Sequence, residues 1–313
     1  MLFDEKALPT PMHHTSKSHT RVFALSDLHV DYQENMAWVQ ALSSTEYTND
    51  VLILAGDVSH NLHQLHAALL ALCARFAQVF FVPGNHELWI RQKEYTDSIA
   101  KFWRVIELCT DLGVRTSPGK VSAGEGMAAV WVVPLFAWYI QPEEGRGSLF
   151  VPKAGEDATL EMWADNYLTT WPPLGQGRTV AEVFLRLNDR HVRRLYDAPV
   201  ISFSHFVPRV ELIYRTAQES AAAGRALRDP HPYFNFSRVA GCVGLEAQIR
   251  QLGSMIHVYG HQHRNRHRAI DGVLYISHCL GYPSERARGF VHNIGHIPKL
   301  IWDSAEASAY EGL

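Results

Sequence analysis

Five short apolar segments of the chain each end at a side chain that can bind a metal ion or transfer a proton. The segments lie within residues 21–26, 50–56, 78–83, 199–204 and 255–260. Each is a near-continuous apolar run of strand length, which indicates a strand that is covered on both faces, as in α/β proteins. The pattern therefore predicts an α/β fold in which buried strands lead directly into polar groups.

The polar groups at the ends of these runs are expected to meet in space. Segments with helical periodicity, residues 62–76 and 99–109, follow the second and third runs. The separations of 30 residues from Asp27 to Asp57 and 28 from Asp57 to Asn85 suit right-handed crossovers between parallel strands. Parallel strands align their carboxyl ends at one sheet edge, where ligands bind. The groups in question are Asp27, His29, Asp57, Asn85, His86, His205, His261 and His263.

The remaining segments are less regular and favour one domain with two insertions. We expect further strands within residues 127–138, 272–277 and 299–303, and helices at 181–196 and 245–252. Residues 141–180, which are rich in Gly, Pro and Trp, and residues 209–240 are interpreted as insertions. The predicted organisation is a flexible lead-in at 1–19, a domain at 20–303 and a tail at 304–313.

Composition restricts the partners and the compartment. The formal net charge of −3 and the pI of about 6.6 do not indicate the excess of positive charge that is typical of proteins that bind nucleic acid or an anionic membrane. No apolar stretch has the length of a membrane span. The four cysteines form no CxxC motif, which suits reduced thiols. We expect a cytoplasmic protein that binds neither membranes nor nucleic acid.

The chemistry of the converging groups indicates a site for two metal ions. Imidazoles and carboxylates without a thiolate suit borderline divalent metals such as Mn, Fe, Zn, Co or Ni. The ligands are too many for one tetrahedral ion and about right for two ions that share a bridging group. Such a pair can stabilise the attacking and leaving oxygens of a displacement at phosphorus.

The ordered set of motifs resembles the calcineurin-like metallophosphoesterases over about residues 21–280. The matching motifs are Asp27-x-His29, Gly56-Asp57, Gly84-Asn85-His86-Glu87, a single His205, and Gly260-His261-x-His263. The resemblance implies a four-layer α/β/β/α sandwich with two mixed sheets. It also implies that a hydroxide between two metal ions is the nucleophile and that no phosphoenzyme forms.

The resemblance assigns a role to each motif residue. Asp27, His29 and His263 would hold one metal, and Asn85, His205 and His261 the other. Asp57 would bridge the two ions, which are expected to be Mn, Fe or Zn in divalent or mixed-valence form. His86 would protonate the leaving oxygen as the catalytic residue, and Asn85 would also face the substrate. The two metal sets and His86 together make up the predicted active site.

Several nearby residues have more than one interpretation. Glu87 is read either as a hydrogen-bond partner of His86 or as a first-turn carboxylate at a helix N-terminus. Arg264 lies in a basic cluster that is either a solvated turn or a contact to a substrate phosphate. The other positions are Tyr32 and Asn35 as pocket residues, His60, His63 and His66 as exposed residues, His257 as packing, and His278 as core or a partner of the site.

Departures from known subfamilies narrow the predicted substrate. Val58-Ser59-His60-Asn61 replaces the segment in which protein phosphatases of this superfamily carry an Asp and an Arg, so a phosphoprotein substrate is not favoured. We expect a small-molecule phosphomonoester or phosphodiester. One alternative is a catalytically weak or inactive scaffold with the same fold that binds a protein partner. Another is a metal hydrolase of another bond, whose HxHxDH motif is absent from the sequence.

Overall fold

The computed structural model describes residues 19–91, 94–124, 127–175, 177–217, 219, 231–292, 294–295 and 297–306. The strands in these residues are β1 (Arg21–Leu25), β2 (Val51–Ala55), β3 (Gln78–Val82), β4 (Gly119–Ser122), β5 (Ala129–Pro134), β6 (Val200–Phe203), β7 (Ser254–Tyr259), β8 (Arg266–Ile270), β9 (Val273–Ser277) and β10 (Lys299–Asp303). The helices are α1 (Gln33–Ala41), α2 (Leu62–Cys73), α3 (Ser98–Asp111), α4 (Asp165–Leu168), α5 (Val180–Leu187), α6 (Asp189–Val192), α7 (Val243–Gln251) and α8 (Pro283–Ala287). Short 3₁₀ turns cover His86–Leu88, Pro142–Glu144, Val210–Leu212 and Phe236–Arg238.

The strands form two mixed sheets, as the resemblance implied. The four-stranded sheet has the order β10-β1-β2-β3, in which β1, β2 and β3 are parallel and β10 is antiparallel to β1. The six-stranded sheet has the order β4-β5-β6-β7-β9-β8, with a parallel centre and antiparallel edge strands β4 and β8. The predicted α/β fold class is confirmed.

Alternating residues of β1 separate two hydrophobic cores. Val22 and Ala24 pack in the core that joins the two sheets, whereas Phe23 and Leu25 pack with helices α1, α2 and α3. This alternation is the expected consequence of successive side chains that point to opposite faces of a strand. Helix α7 packs beside β7 on the six-stranded sheet. Helices therefore cover the outer faces of both sheets, which gives the four-layer sandwich.

The predicted strands form, but two other segments differ from the prediction. The runs expected to end at polar residues are β1, β2, β3, β6 and β7. The helix expected over 181–196 is split into α5 and α6 and ends at Val192. The buried Asn188 lies between them, and its side chain bonds the N–H (2.9 Å) and carbonyl (2.8 Å) of Phe136. The basic segment interpreted as a solvated turn includes edge strand β8, paired with β9.

The two predicted insertions contact each other. Asp157 N–H donates to the Tyr233 carbonyl (2.7 Å), and the Asn235 amide donates to the Val151 carbonyl (2.8 Å). The predicted lead-in and tail lie outside the described residues, apart from residue 19 and residues 304–306. In the part of the chain that is described, no helix has both the length and the apolar character that a membrane crossing requires.

Candidate metal centre

The predicted site residues converge at the carboxyl ends of strands from both sheets. Backbone hydrogen bonds join the loops that carry them: Asp27 N–H donates to the Gly56 carbonyl (2.9 Å) and His29 N–H to the Asp57 carbonyl (3.0 Å). Three overlapping groups of ligand atoms lie within 4.8 Å of one another. The groups are Asp27, His29 and His263; His29, Asp57 and His86; and Asp57, His205 and His261.

Several predicted metal ligands have a left-handed backbone conformation, which is strained for a residue with a side chain. Seven non-glycine residues among those described have positive φ, and five of them are predicted metal ligands. These five are Asp27 (51°), His29 (43°), Asp57 (56°), His261 (69°) and His263 (52°). A left-handed conformation costs a residue with a side chain about 1–2 kcal/mol. Such strain persists where the surrounding structure enforces it, and it is concentrated at functional sites.

Asp27, His29 and His263 form the first candidate ligand group. His263 Nε2 lies 2.9 Å from His29 Nε2 and 3.5 Å from Asp27 Oδ1. His263 Nδ1 lies 2.6 Å from a Glu285 carboxylate oxygen, so Nδ1–H donates to Glu285 and the Nε2 lone pair faces the cluster. A carboxylate that orients the far nitrogen of a histidine in this way is typical of metal ligands.

The close approach of these nitrogens fits a cation between them. His29 Nδ1 is buried and has no hydrogen-bond partner among the described residues, while its Nε2 faces another imidazole nitrogen. Buried polar atoms in native proteins are nearly always satisfied. Two imidazole nitrogens and a carboxylate that point at one place are the donor set that Mn, Fe or Zn prefers. The residues present therefore fit a metal ion here.

The second candidate ligand group surrounds His205. Its Nε2 lies 3.4 Å from Asp57 Oδ2, 3.1 Å from Asn85 Oδ1 and 3.2 Å from His261 Nδ1. Its Nδ1–H donates to the Ala55 carbonyl (2.9 Å). His261 is oriented by the Val239 carbonyl, which accepts from Nε2–H at 2.9 Å. In both histidines one nitrogen is held by a carbonyl, and the other nitrogens, His205 Nε2 and His261 Nδ1, lie 3.2 Å apart beside Asp57.

Asp165 orients Asn85, a role that sequence reasoning missed. The Asn85 amide donates to Asp165 Oδ1 (2.9 Å), so the amide oxygen faces His205 and the cluster. Asp165 also accepts from the indole N–H groups of Trp89 (2.6 Å) and Trp163 (3.0 Å). Burial raises the pKa of Asp165 to about 6. Asp165 lies in the first predicted insertion, where no periodicity or motif distinguishes it from other polar residues.

Glu87 makes different contacts from those expected for a partner of His86. Its buried carboxylate accepts four backbone N–H bonds, from Asp57 (2.9 Å), Val58 (2.7 Å), Ser59 (3.0 Å) and Gly84 (2.7 Å). It does lie in the first turn of the 3₁₀ turn that begins at His86. Burial and the nearby Asp57 raise the pKa of Glu87 to about 7. The side chain fastens the loop after β2 to the loop after β3.

His86 lies at the edge of the cluster and is buried. Its Nε2 is 3.6 Å from Asp57 Oδ2 and 3.4 Å from the Tyr282 hydroxyl. Its ring packs on the Trp89 indole, with ring centroids 3.6 Å apart. Burial lowers the pKa of His86 to about 4. The Trp89 indole and the Tyr282 hydroxyl thus hold His86, the predicted proton donor, in one orientation beside Asp57.

The ionisable groups of the cluster hold protons where metal ions would bind. The pKa of Asp57 lies well below its ordinary value. Burial acts to raise this pKa, but the positive charges of His205 and His86 outweigh burial and lower it. Burial lowers the pKa of His205, yet the Asp57 carboxylate reverses the direction and raises it to about 9. Metal binding requires neutral imidazole, so an ion bound here would take the place of a proton on His205.

Other predicted positions have mixed outcomes. His257 is buried packing, bonded to Ser202 and Ser204, as predicted. His63 and His66 are exposed, as predicted. His60 was expected to be exposed, but it is partly buried and lies 2.9 Å from Asp31.

Two further predictions concern residues near the loop after β1. Asn35 was considered a pocket residue, but it is buried and its amide braces the carbonyls of Leu28 (2.7 Å) and Gly281 (2.9 Å). Tyr32 is exposed and packs beside Tyr282. His278 is buried at the end of β9, outside the three ligand groups.

A cavity of about 830 Å³ opens beside the first ligand group. His263, Glu285 and Tyr282 form part of its wall, together with Phe234 from the second insertion. Arg264, the predicted phosphate contact, also lines the cavity and is exposed. Val151 and Pro152 of the first predicted insertion also line the cavity, which therefore joins the predicted metal centre to both predicted insertions.

The fold and the clustered side chains define a metal-dependent phosphoesterase. Residues 20–265 match the calcineurin-like phosphoesterase family, and the chain belongs to that family. Its members use two divalent metal ions, which agrees with the clustered aspartates and histidines. The family and the enzyme class expected from the sequence are confirmed.

Two comparisons point to one bacterial relative. The chain is 26% identical over 277 residues to the [acyl-carrier-protein] phosphodiesterase PptH of Mycobacterium tuberculosis. The alignment covers 85% of this chain and 79% of the relative. The crystal structure of the phosphopantetheinyl hydrolase PptH from the same organism matches with a TM-score of 0.66 at 23% identity, over 90% of this chain and 96% of that chain. The structural match supports the fold.

Proposed function

We propose that this protein is a phosphodiesterase that cleaves phosphopantetheine from the serine of an acyl carrier protein. The observation that carries the proposal is the cavity of about 830 Å³ beside His263 and Tyr282. Its volume lies within the usual range for ligand pockets, roughly 300–1,000 Å³. A phosphodiester has a group on each side of phosphorus, so its hydrolase needs room beyond the metal centre. The name of the relative supplies the identity of those groups.

The lining of the cavity suits the two parts of a phosphopantetheine. Phe234, Phe236 and Phe290 provide apolar surface for the pantetheine arm. Arg264 provides a cation for a phosphate oxygen. The sequence favoured a small-molecule phosphate ester, and the proposal extends that expectation to a phosphodiester attached to a protein.

Each residue of the metal centre has a role in this reaction. Asp27, His29 and His263 would hold one ion, and Asn85, His205 and His261 would hold the other. Asp57, which lies within 4.8 Å of donor atoms of His29 and of His205, would be shared by the two ions. When bound, two divalent ions supply Lewis acidity at the phosphate and promote ionisation of water at neutral pH.

His86 completes the site as the proton donor. It is placed beside Asp57 with its ring held by Trp89 and Tyr282, and it donates a proton to the serine oxygen as the P–O bond breaks. This role requires His86 to be protonated when substrate is bound, and the negative charge of the phosphodiester nearby favours that form. A non-catalytic scaffold has no need for such a donor beside a complete ligand set.

The test is hydrolysis of a phosphopantetheinylated acyl carrier protein with added Mn²⁺, followed by intact mass spectrometry. The expected products are carrier protein with a free serine and 4′-phosphopantetheine. Asp57→Asn is the inactive reference, because loss of the shared carboxylate weakens both metal sites. Intact carrier protein after incubation, with bis(p-nitrophenyl) phosphate hydrolysed normally in the same preparation, would overturn the proposed substrate but not the enzyme class.

A further inference from the structure

Tyr282 lies where the cavity meets the predicted metal centre. Its ring packs beside those of His29 and His263, with ring centroids 4.4 and 4.9 Å away. Its hydroxyl lies 3.4 Å from His86 Nε2, and the side chain forms part of the cavity wall. Tyr282 therefore contacts two predicted metal ligands, the predicted proton donor and the space that a substrate would enter.

Hydrogen bonds connect the backbone around Tyr282 to the first ligand group. One Glu285 carboxylate oxygen accepts from Tyr282 N–H (2.8 Å) and from His263 Nδ1–H (2.6 Å). Gly281 N–H donates to the Asp27 carbonyl (2.9 Å), and Gly281 has a φ of 65°, a conformation that favours glycine. The phenol is thus held in place beside the metal centre. Donors that are positioned before the substrate arrives stabilise developing charge without reorganisation during the reaction.

The hydroxyl of Tyr282 has hydrogen-bonding capacity that its present contact uses only weakly. A phenol can donate one hydrogen bond and remains a donor at neutral pH. In the described part of the chain this hydroxyl contacts His86 Nε2, and 3.4 Å is longer than a usual hydrogen bond from a hydroxyl. When Nε2 carries the proton that the proposed function requires, it has no lone pair to accept. The hydroxyl hydrogen is then available to another acceptor.

A bound phosphate offers that acceptor. The leaving oxygen and the non-bridging oxygens of a phosphodiester are bonded to the same phosphorus. Two donors that lie 3.4 Å apart, His86 Nε2 and the Tyr282 hydroxyl, can therefore contact neighbouring oxygens of one phosphate.

We propose that Tyr282 is a further catalytic residue, whose hydroxyl donates a hydrogen bond to a non-bridging oxygen of the phosphodiester. The inference rests on the proposed function, which places the leaving oxygen beside His86. In this arrangement His86 acts on the leaving group, whereas Tyr282 acts on the phosphoryl group itself. A donor at a phosphoryl oxygen stabilises the negative charge of the transition state.

The first test is the turnover of bis(p-nitrophenyl) phosphate by Tyr282→Phe in the presence of Mn²⁺. Phenylalanine keeps the ring beside His29 and removes only the hydroxyl. We expect kcat to fall by about tenfold or more, because a hydrogen bond to a charged group is lost. The matched control is Tyr196→Phe, which removes a phenol hydroxyl that donates to the His191 carbonyl (2.8 Å) outside the metal centre. The control should have the turnover of the wild type.

The choice of substrate separates a contact with phosphate from support of His86. Nitrophenolate leaves with little need for a proton, so a hydroxyl that only oriented His86 would scarcely affect this ester. Any loss in Tyr282→Phe smaller than the one expected therefore overturns the inference.

Two binding measurements test the same contact without turnover. Mn²⁺ is titrated into the metal-free proteins, and inorganic phosphate is titrated into the Mn²⁺-loaded proteins. Tyr282→Phe should bind Mn²⁺ as the wild type does and should bind phosphate about tenfold more weakly. Weaker Mn²⁺ binding would assign the hydroxyl to support of the ligands and overturn the inference, as would an unchanged phosphate affinity.

The proposed function can fail separately from this inference. If the wild type hydrolyses bis(p-nitrophenyl) phosphate but leaves phosphopantetheinylated carrier protein intact, the proposed substrate is overturned. The contact between Tyr282 and phosphate still stands in that case, provided that Tyr282→Phe shows both expected losses.

Discussion

Asp165 accepts hydrogen bonds from three groups that surround the metal centre. It fixes the amide of Asn85, the indole of Trp89 against His86, and the indole of Trp163. Trp163 in turn stacks on Phe234, which lines the cavity. One buried carboxylate thus connects a predicted ligand, the support of the predicted proton donor and the wall of the cavity.

We predict that Asp165→Asn weakens binding of the second metal ion. Asparagine retains one acceptor oxygen and places an NH₂ group where Asp165 accepts, so one of the N–H donors loses its partner and the Asn85 amide can flip. Loss of an orienting partner costs about 10–100-fold in metal affinity. Calorimetric titration with Mn²⁺ should show one weakened site and one unchanged site.

Asp197→Asn is the matched control for that variant. Asp197 also accepts from an indole, that of Trp131 (2.8 Å), but on the surface and outside the metal centre. It should bind both ions as the wild type does. If Asp165→Asn also binds both ions normally while folding normally, Asp165 does not position Asn85.

His86→Ala should separate proton donation from metal binding. The expected variant retains two metal ions and loses on the order of 10²–10⁴ in rate on an alkyl phosphodiester. Its loss on a nitrophenyl ester should be much smaller, because nitrophenolate leaves with little need for a proton. The measurement compares kcat for the two substrates with metal content determined in the same sample.

His263→Ala provides the contrast, since His263 lies in the first ligand group. It should lose metal affinity and slow both substrates alike. Equal slowing of both substrates by His86→Ala, with full metal content, would contradict the general-acid assignment and indicate electrostatic binding of the phosphate instead.

At the scale of structural elements, Glu87 couples two loops that carry the site. Its carboxylate holds N–H groups from the loop after β2 and from Gly84 after β3. In Glu87→Gln one oxygen becomes an NH₂ group that cannot accept. A buried donor left without an acceptor costs about 1–3 kcal/mol. We predict a loss of that size or more in the free energy of unfolding, measured by urea denaturation with EDTA present.

Gln64→Glu tests whether any change of charge nearby has the same effect. Gln64 lies at the start of α2 and contacts Ser59 through its side chain (3.3 Å), without bonds to these loop N–H groups. Its stability should stay close to that of the wild type. A Glu87→Gln protein as stable as the wild type would show that the four N–H bonds contribute little.

The strands that carry the predicted ligands could be predicted from the sequence. The residues that hydrogen-bond those ligands could not. Asp27, Asp57 and His205 follow apolar strands, and parallel strands bring their ends together. Asp165 is 80 residues from the Asn85 side chain that it bonds, inside an insertion without periodicity. Glu285 likewise faces His263 only because of tertiary packing. Edge strand β8 was missed because it begins with three consecutive basic residues, Arg266, His267 and Arg268, which resemble a solvated turn.

At the scale of the whole molecule, buried histidines make stability depend on pH in two opposite ways. Burial lowers the pKa of His257 to about 3, of His261 to about 3 and of His86 to about 4. The unfolded chain binds more protons than the folded one below about pH 6.5, so stability falls as the pH is lowered through that range. For His205 burial favours the neutral form, but Asp57 raises its pKa to about 9. Its contribution is present below about pH 6.5 and is lost as the pH rises toward 9.

The metal-free protein should therefore be most stable near pH 6.5, and one substitution should alter only the acid side. Each histidine changes the free energy of unfolding by about 1.4 kcal/mol per pH unit within its window. His257 lies in β7, bonded to Ser202 and Ser204, outside the metal centre. His257→Gln removes one titrating group, so urea denaturation in EDTA should show a shallower decline from pH 6.5 to 5 and an unchanged decline from pH 7 to 9. A profile of the variant parallel to that of the wild type on the acid side would show that His257 is not neutral in the folded protein.

Saturating Mn²⁺ should reduce the decline in the free energy of unfolding above pH 7, because a bound metal ion would take the place of the proton on His205.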